Sequence, residues 1–126
     1  MADLDNKVVA LIDIGDETTK LAIFNKGIMI KEKIMLMGGR NIDEDIAFNY
    51  KVDDAKKIKE EFAVSNRKYA DSDEVYTCIN RVGEKININQ YDLSQIIESR
   101  CVEILKKVKN EINNLTNREI GYIIIS

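Results

Sequence analysis

The sequence predicts an α/β fold with a mixed sheet, and three observations predict it. Residues 7–14 (KVVALIDI) form a nearly continuous apolar run. Two more strand-like segments follow it through short turns, and a long helical pattern over residues 92–115 leads into a closing apolar strand, GYIIIS. Strands joined by tight turns pair antiparallel, whereas a strand reached through a long crossover helix returns parallel.

The first strand has apolar residues on both sides of its alternation, which predicts burial on both faces. Gly15 and Asp16 open a turn. Residues 19–25 are the second strand. "NKG" at 25–27 is a hairpin turn in which Gly27 is free to take positive φ. The third strand runs over 28–37 and stops at Gly38 and Gly39. Two short helices follow. Asn41 caps the first, with Glu44 in the reciprocal position, and Ile42, Ile46 and Ala47 face inward. Asp53 caps the second, whose apolar stripe is Ala55, Ile58 and Phe62. Its other face (Lys56, Lys57, Lys59, Glu60, Glu61) has the pattern of an ordinary solvated face.

Residues 63–73 are polar and read as a loop. Residues 75–82 (VYTCINRV) read as a strand, Gly83 and Glu84 turn it, and residues 85–89 pair back as a small hairpin. The strongest helix follows, with Asp92 and Gln95 as a capping box. Leu93, Ile96, Ile97, Arg100, Cys101, Ile104, Leu105, Val108, Ile112 and Leu115 recur at helical spacing, and all but Arg100 are apolar, so this face covers a sheet. The last strand, 120–126, lies parallel beside the first. It stops without a turn or a closing helix, as an interior strand does when more chain follows, which suggests a piece of a larger protein.

Composition narrows the function classes. A chain of 126 residues is long enough for one domain with a real core. At 44% hydrophobic and 33% charged residues it is globular rather than disordered. The net charge of −3 leaves no basic footprint for nucleic acid. The chain has no His, which removes the commonest general base and the commonest metal ligand. Cys78 and Cys101 lack metal-ligand spacing, and so few cysteines fit a reducing, cytoplasmic setting. No apolar run is long enough to span a membrane, and the N-terminus lacks the apolar core of a signal peptide.

The stretch LIDIGDETTKLAIF, residues 11–24, carries the functional question. A polyphosphate needs converging backbone N–H groups and little side-chain bulk. A carboxylate at a strand end can anchor Mg²⁺ through waters. Asp13, Gly15, Thr18 and Thr19 are residues of that kind. Asp, Gly and Thr also build ordinary hairpin turns, so local chemistry leaves both readings open.

A larger pattern is superimposed on this one. DIGDETTKLAIFNKGIMIKEKIMLMGGRNIDEDIA resembles the second phosphate loop and following hairpin of the actin/Hsp70/sugar-kinase superfamily, and within it the bacterial cell-division family FtsA. That family's pattern is Asp-Ile-Gly-Gly-Gly-Thr-Thr-Asp, a hairpin, Gly-Gly, then ITNDIA. Asp13, Ile14, Gly15, Thr18 and Thr19 match the loop. Gly38, Gly39, Ile42, Asp45, Ile46 and Ala47 match the second part. AKKIK at 55–59 is similar to the family's AExIK helix, IIESRCVEI at 96–104 to IIExRxxEI, and GYIIIS to the strand before its adenosine-binding TGG.

The resemblance implies a ribonuclease-H-like, actin-type subdomain covering the second half of an ATPase core. The core would comprise residues 7–62 and 91–126, and an inserted outer subdomain residues 63–90, bordered by part of the 91–115 helix. It implies ATP, with Mg²⁺ at Asp13, in the full-length protein. Asp13, Gly15, Asp16, Thr18, Thr19, Gly38, Gly39 and Lys59 would be its binding residues, with no catalytic residue and at most a weak ATPase. Asp16 has a counterpart in actin, which resembles Gly-Asp there. Three positions depart from the pattern: Glu17 replaces a loop glycine, Lys20 replaces the Asp after the threonines, and Lys56 replaces the Glu of AExIK.

The resemblance also implies that the outer subdomain receives the C-terminal tail of the tubulin-like protein FtsZ, which mixes acidic and apolar residues. A cation between apolar patches suits such a tail, and Arg100 is the candidate, with Asn89, Gln90 and Lys107 at its border. An Arg on a helix also makes ordinary intrachain pairs. Actin-like filaments, a location at the inner membrane face and septum, and membrane attachment through a segment absent here complete the implication. Two alternatives stand beside it: a nucleotide-independent interaction module, and a pilus-assembly scaffold of the PilM type.

Overall fold

A computed structural model describes residues 7–64 and 67–125. In order, the elements are β1 (Val8–Ile14), β2 (Thr19–Asn25), β3 (Ile28–Met35), α1 (Gly39–Tyr50), α2 (Ala55–Phe62), a 3₁₀ turn (Arg67–Tyr69), β4 (Val75–Ile79), β5 (Lys85–Asn89), α3 (Gln90–Leu115) and β6 (Ile120–Ile125). Ser65 and Asn66 of the expected loop, and Ser126 of the expected last strand, lie outside the described residues.

The chain forms two compact units, one made of the residues up to Gly39 and again from Ile104, the other of Arg40–Glu103. In the second, Ile46 of α1 and Ala55 and Ile58 of α2 share a buried cluster with Ile88 of β5 and Leu93 and Ile97 of α3.

The first unit holds a four-stranded sheet in the order β3-β2-β1-β6. β1 pairs antiparallel with β2, from Val9 opposite Phe24 to Ile14 opposite Thr19. β2 pairs antiparallel with β3, and β6 runs parallel to β1. The sheet is therefore mixed. Strand alternation puts Val8, Ala10, Ile12, Leu21 and Ile23 on one face, where Ile104, Val108 and Ile112 of α3 cover them. Fully burying a Val, Leu or Ile side chain there contributes about 1.5–3 kcal/mol. The expectation that β1 is buried on both faces needs correction. Val9 and Leu11 are half-buried, and their neighbours on β6, Tyr122 and Ile124, are 65% and 53% exposed. The reason is that α3 covers one face. At the β2–β3 turn, Lys26 and Gly27 both take positive φ, 53° and 80°, as a two-residue hairpin loop requires.

In the second unit β4 and β5 form an antiparallel hairpin, Val75 opposite Asn89 through Ile79 opposite Lys85. Tyr76, Cys78 and Ile86 pack against the helical cluster. Arg81 binds the α1–α2 connection: its guanidinium donates to the carbonyls of Ala47 and Val52 at 3.3 and 3.4 Å.

The expected caps are displaced. α1 starts at Gly39, so Asn41 lies inside its first turn, and Glu44 pairs with Arg40 at 3.4 Å. Asp54, not Asp53, occupies the N-cap of α2 and makes no side-chain cap bond; Asp53 pairs with Arg81 at 3.2 Å. α3 starts at Gln90, and the Oδ1 of Asn89 accepts the Asp92 N–H at 3.1 Å. Asn89 is thus the cap, and Asp92 sits in the first turn, where its charge complements the helix N-terminus.

Candidate functional site

The turn between β1 and β2 is built by backbone bonds. The Gly15 N–H donates to the Thr18 carbonyl at 2.8 Å, just beyond the pair Ile14–Thr19. Residues 15–18 are all exposed. Thr19 is fully buried, and its hydroxyl donates to the Met37 carbonyl at 2.9 Å. The Gly39 N–H donates to the Gly15 carbonyl, also at 2.9 Å. Between them lies Gly38. A Cβ there would stand 2.2 Å from the Gly15 carbonyl oxygen and 2.7 Å from that of Asp16, closer than real Cβ atoms come. Segment 37–39 therefore backs the turn and holds its shape, and glycine at 38 is what permits that approach.

The structure thus brings together Gly15, Asp16, Thr18, Thr19, Gly38 and Gly39, the glycine and threonine set singled out in the sequence. It also shows what several of them do within the chain. Thr19 and Gly39 tie segment 37–39 to the turn, and the Gly15 N–H closes the turn itself.

Asp13 stands directly opposite Lys20 in the β1–β2 register. Directly opposed residues point to the same face, with Cβ atoms about 4.5–5.5 Å apart. That face is the one α3 does not cover. The Lys20 ammonium lies 4.0 Å from Glu32 of β3. This juxtaposition was legible in advance: once residue 14 faces 19 across a hairpin, 13 faces 20.

The implied groups can be tested against these residues. A glycine-backed, exposed turn suits phosphate oxygens. Mg²⁺ keeps several waters and takes one or two carboxylates beside its phosphates. Asp13 is one carboxylate, and its register partner is a lysine whose ammonium lies at Glu32. Among the described residues no group of three or more His, Cys, Asp or Glu could hold a metal ion. The turn suits a polyphosphate, and Asp13 could offer a Mg²⁺ ion one carboxylate beside it.

Lys59 belongs to the second unit. Its ammonium pairs with Asp43 at 2.6 Å, and both side chains are largely buried. Arg100 lies in the same unit. Its Nε and Nη2 donate to the two oxygens of Asp45 at 2.6 and 2.7 Å, and Nη1 reaches Glu103 at 3.3 Å. The bonds to Asp45 push the guanidinium pKa upward, against a smaller opposing effect of burial. Sequence reading matched Asp45 to a motif but missed its partner.

The border residues proposed around Arg100 have other partners. Asn89 donates to the Ser72 carbonyl as well as capping α3. Gln90 donates to the Phe62 carbonyl at 2.8 Å and accepts the Asp71 N–H at 2.9 Å. Both pin the loop between α2 and β4. Lys107 falls in the first unit and is exposed. The second unit does present large exposed apolar side chains, Phe48, Ile79 and Val82 among them.

A mixed sheet whose first two strands enclose a glycine-backed turn, followed by a long helix and a parallel return strand, defines an actin-type fold. MreB5 of Spiroplasma citri, solved bound to AMPPNP, superposes with a TM-score of 0.69 at 19% identity, covering 93% of this chain and 38% of that one. The ethanolamine utilization protein EutJ from Carboxydothermus hydrogenoformans gives 0.60 at 18% identity, covering 96% and 36%. The chain belongs to the FtsA family of cell-division proteins: the family described as "Cell division protein FtsA" matches residues 10–121. The FtsA protein of Bacillus subtilis (strain 168) is 30% identical over 116 residues, covering 90% of this chain and 26% of the relative. The chain therefore spans about a quarter of the length of the curated relatives it matches.

Proposed function

We propose that the intact protein is an actin-like scaffold of bacterial cell division that binds ATP at the turn over residues 15–18 and tethers FtsZ filaments at the inner membrane face and septum. The observation that carries the nucleotide reading is the close approach of Gly38 to Gly15 and Asp16, which fixes an exposed, glycine-opened turn at the end of β1. The nucleotide analogue bound to MreB5, a protein of the same fold, supports it. This reading assigns no catalytic residue, and turnover is at most weak.

The partner half of the reading gives the Arg40–Glu103 unit the FtsZ tail, with exposed apolar side chains for the tail's apolar residues. Arg100 acts there by holding Asp45 and the surrounding helices in shape. Self-association into filaments, and attachment to the membrane through a segment of the intact protein outside these residues, complete the scaffold.

A second reading, a nucleotide-independent interaction module, is favoured by one observation: the Thr19 hydroxyl and the Gly15 N–H are both engaged within the chain. Titrating the intact protein with ATP and with FtsZ tail peptide separates the two. Binding of both is expected; peptide binding without ATP binding leaves the module reading, and binding of neither overturns both readings.

A further inference from the structure

We infer that Lys20 supplies positive charge to a polyphosphate at the turn, so that nucleotide binding depends only weakly on a divalent cation; this rests on the nucleotide reading above. Lys20 is one residue beyond Thr19, which pairs with Ile14 at the base of the turn. Thr19 points to the α3 face and is buried; Lys20 points to the other face, and its side chain is 53% exposed. A lysine stem is long and flexible, and its ammonium carries three donors. From that position it can reach an anion at the turn.

What holds the ammonium now is weak. Its contact with Glu32 is 4.0 Å long and half-exposed on both sides, and such surface pairs contribute little. A polyphosphate with several negative charges offers a stronger partner. Asp13 is the register partner of Lys20, so a polyphosphate whose charge reached this face of the ladder would meet a lysine beside that carboxylate. Asp16 and Glu17 each interact within the chain. Lys20 thus supplies part of the charge a metal would bring.

The test is isothermal titration of the intact protein with ATP, in excess Mg²⁺ and in EDTA, for the wild type, Lys20→Met and Lys20→Asp. The wild-type dissociation constants in the two buffers should agree within about threefold, less than 1 kcal/mol. Lys20→Met should lose about tenfold in EDTA, the loss of one charge-assisted hydrogen bond. Lys20→Asp, which restores an acid, should make binding Mg²⁺-dependent. Because the side chain is exposed, circular dichroism should show all three equally folded. A wild type that binds in Mg²⁺ but not in EDTA, or a Lys20→Met variant unchanged in EDTA, overturns the inference and leaves the nucleotide reading standing. No binding in either buffer overturns both.

Discussion

Arg100 and Asp45, 55 residues apart in sequence, meet through a two-pronged guanidinium–carboxylate contact at 2.6 and 2.7 Å. The contact joins IIESR on α3 to NIDEDIA on α1, two of the segments that carried the family resemblance. Each side chain is 27% exposed, so the pair is partly desolvated and not an ordinary surface ion pair. Arg100→Ala takes the guanidinium away from the Asp45 carboxylate, and Asp45→Ala leaves Arg100 its longer contact with Glu103. Each single variant of the intact protein should lose about 1–3 kcal/mol of stability in urea denaturation. The double variant should cost less than the sum. Arg100→Lys should recover only part, since an ammonium cannot reproduce the planar fork.

Gly38 should tolerate no side chain. Gly38→Ala must displace the turn or the 37–39 segment, because the clash is with backbone oxygens that cannot rotate away. A loss above about 2 kcal/mol is expected. Gly27→Ala meets nothing within 4 Å and suffers only from its φ of +80°. It should lose about 1 kcal/mol. Comparing the two denaturation curves separates steric from conformational demand.

Thr19→Val keeps the shape of a buried residue but removes the hydroxyl that donates to Met37. The carbonyl of Met37 then loses this partner, at a cost of about 1–3 kcal/mol. Hydrogen exchange should quicken at Gly39, whose N–H bond to Gly15 shares the same support.

The two thiols should resist modification. Burial first, then Glu98, pushes the Cys101 thiol above its ordinary range; burial, then Asp54, does the same for Cys78. Iodoacetamide at pH 8 should label both more slowly in folded than in unfolded protein. The linkage follows from the direction. With folded pKa values raised, the native state holds more protons above the ordinary thiol pKa of about 8.5. Their contribution to stability is complete below that pH and is lost as pH rises through the folded values. The urea midpoint should therefore fall on going from pH 7 to pH 10.

Much of this was legible in the sequence, for reasons that differ by element. β2 and β5 have the expected bounds because alternation and flanking turn residues agree on them. α3 was legible from its apolar face and its length. The caps were not, because polar residues crowd each helix start and any of several neighbours can serve. Asp92 and Gln95 make a plausible capping box, yet Asn89 caps. The turn's composition marked it as a candidate, but its backing by Gly38 is a contact across the β2–β3 hairpin that local pattern does not encode. Arg100 illustrates the same limit. Its type and its position on an apolar face single it out, but Asp45, its partner within the chain, lies on another helix whose register no periodicity reveals.

The central claim is that the turn over residues 15–18 receives a nucleotide phosphate chain. Its most direct test is hydrogen–deuterium exchange of the intact protein with and without saturating ATP. The amides of residues 15–18 should exchange more slowly with ATP, alongside a rise in apparent stability of about 2.7 kcal/mol at a hundredfold excess over the dissociation constant. Unchanged exchange at those amides would contradict the claim, whatever else the protein binds.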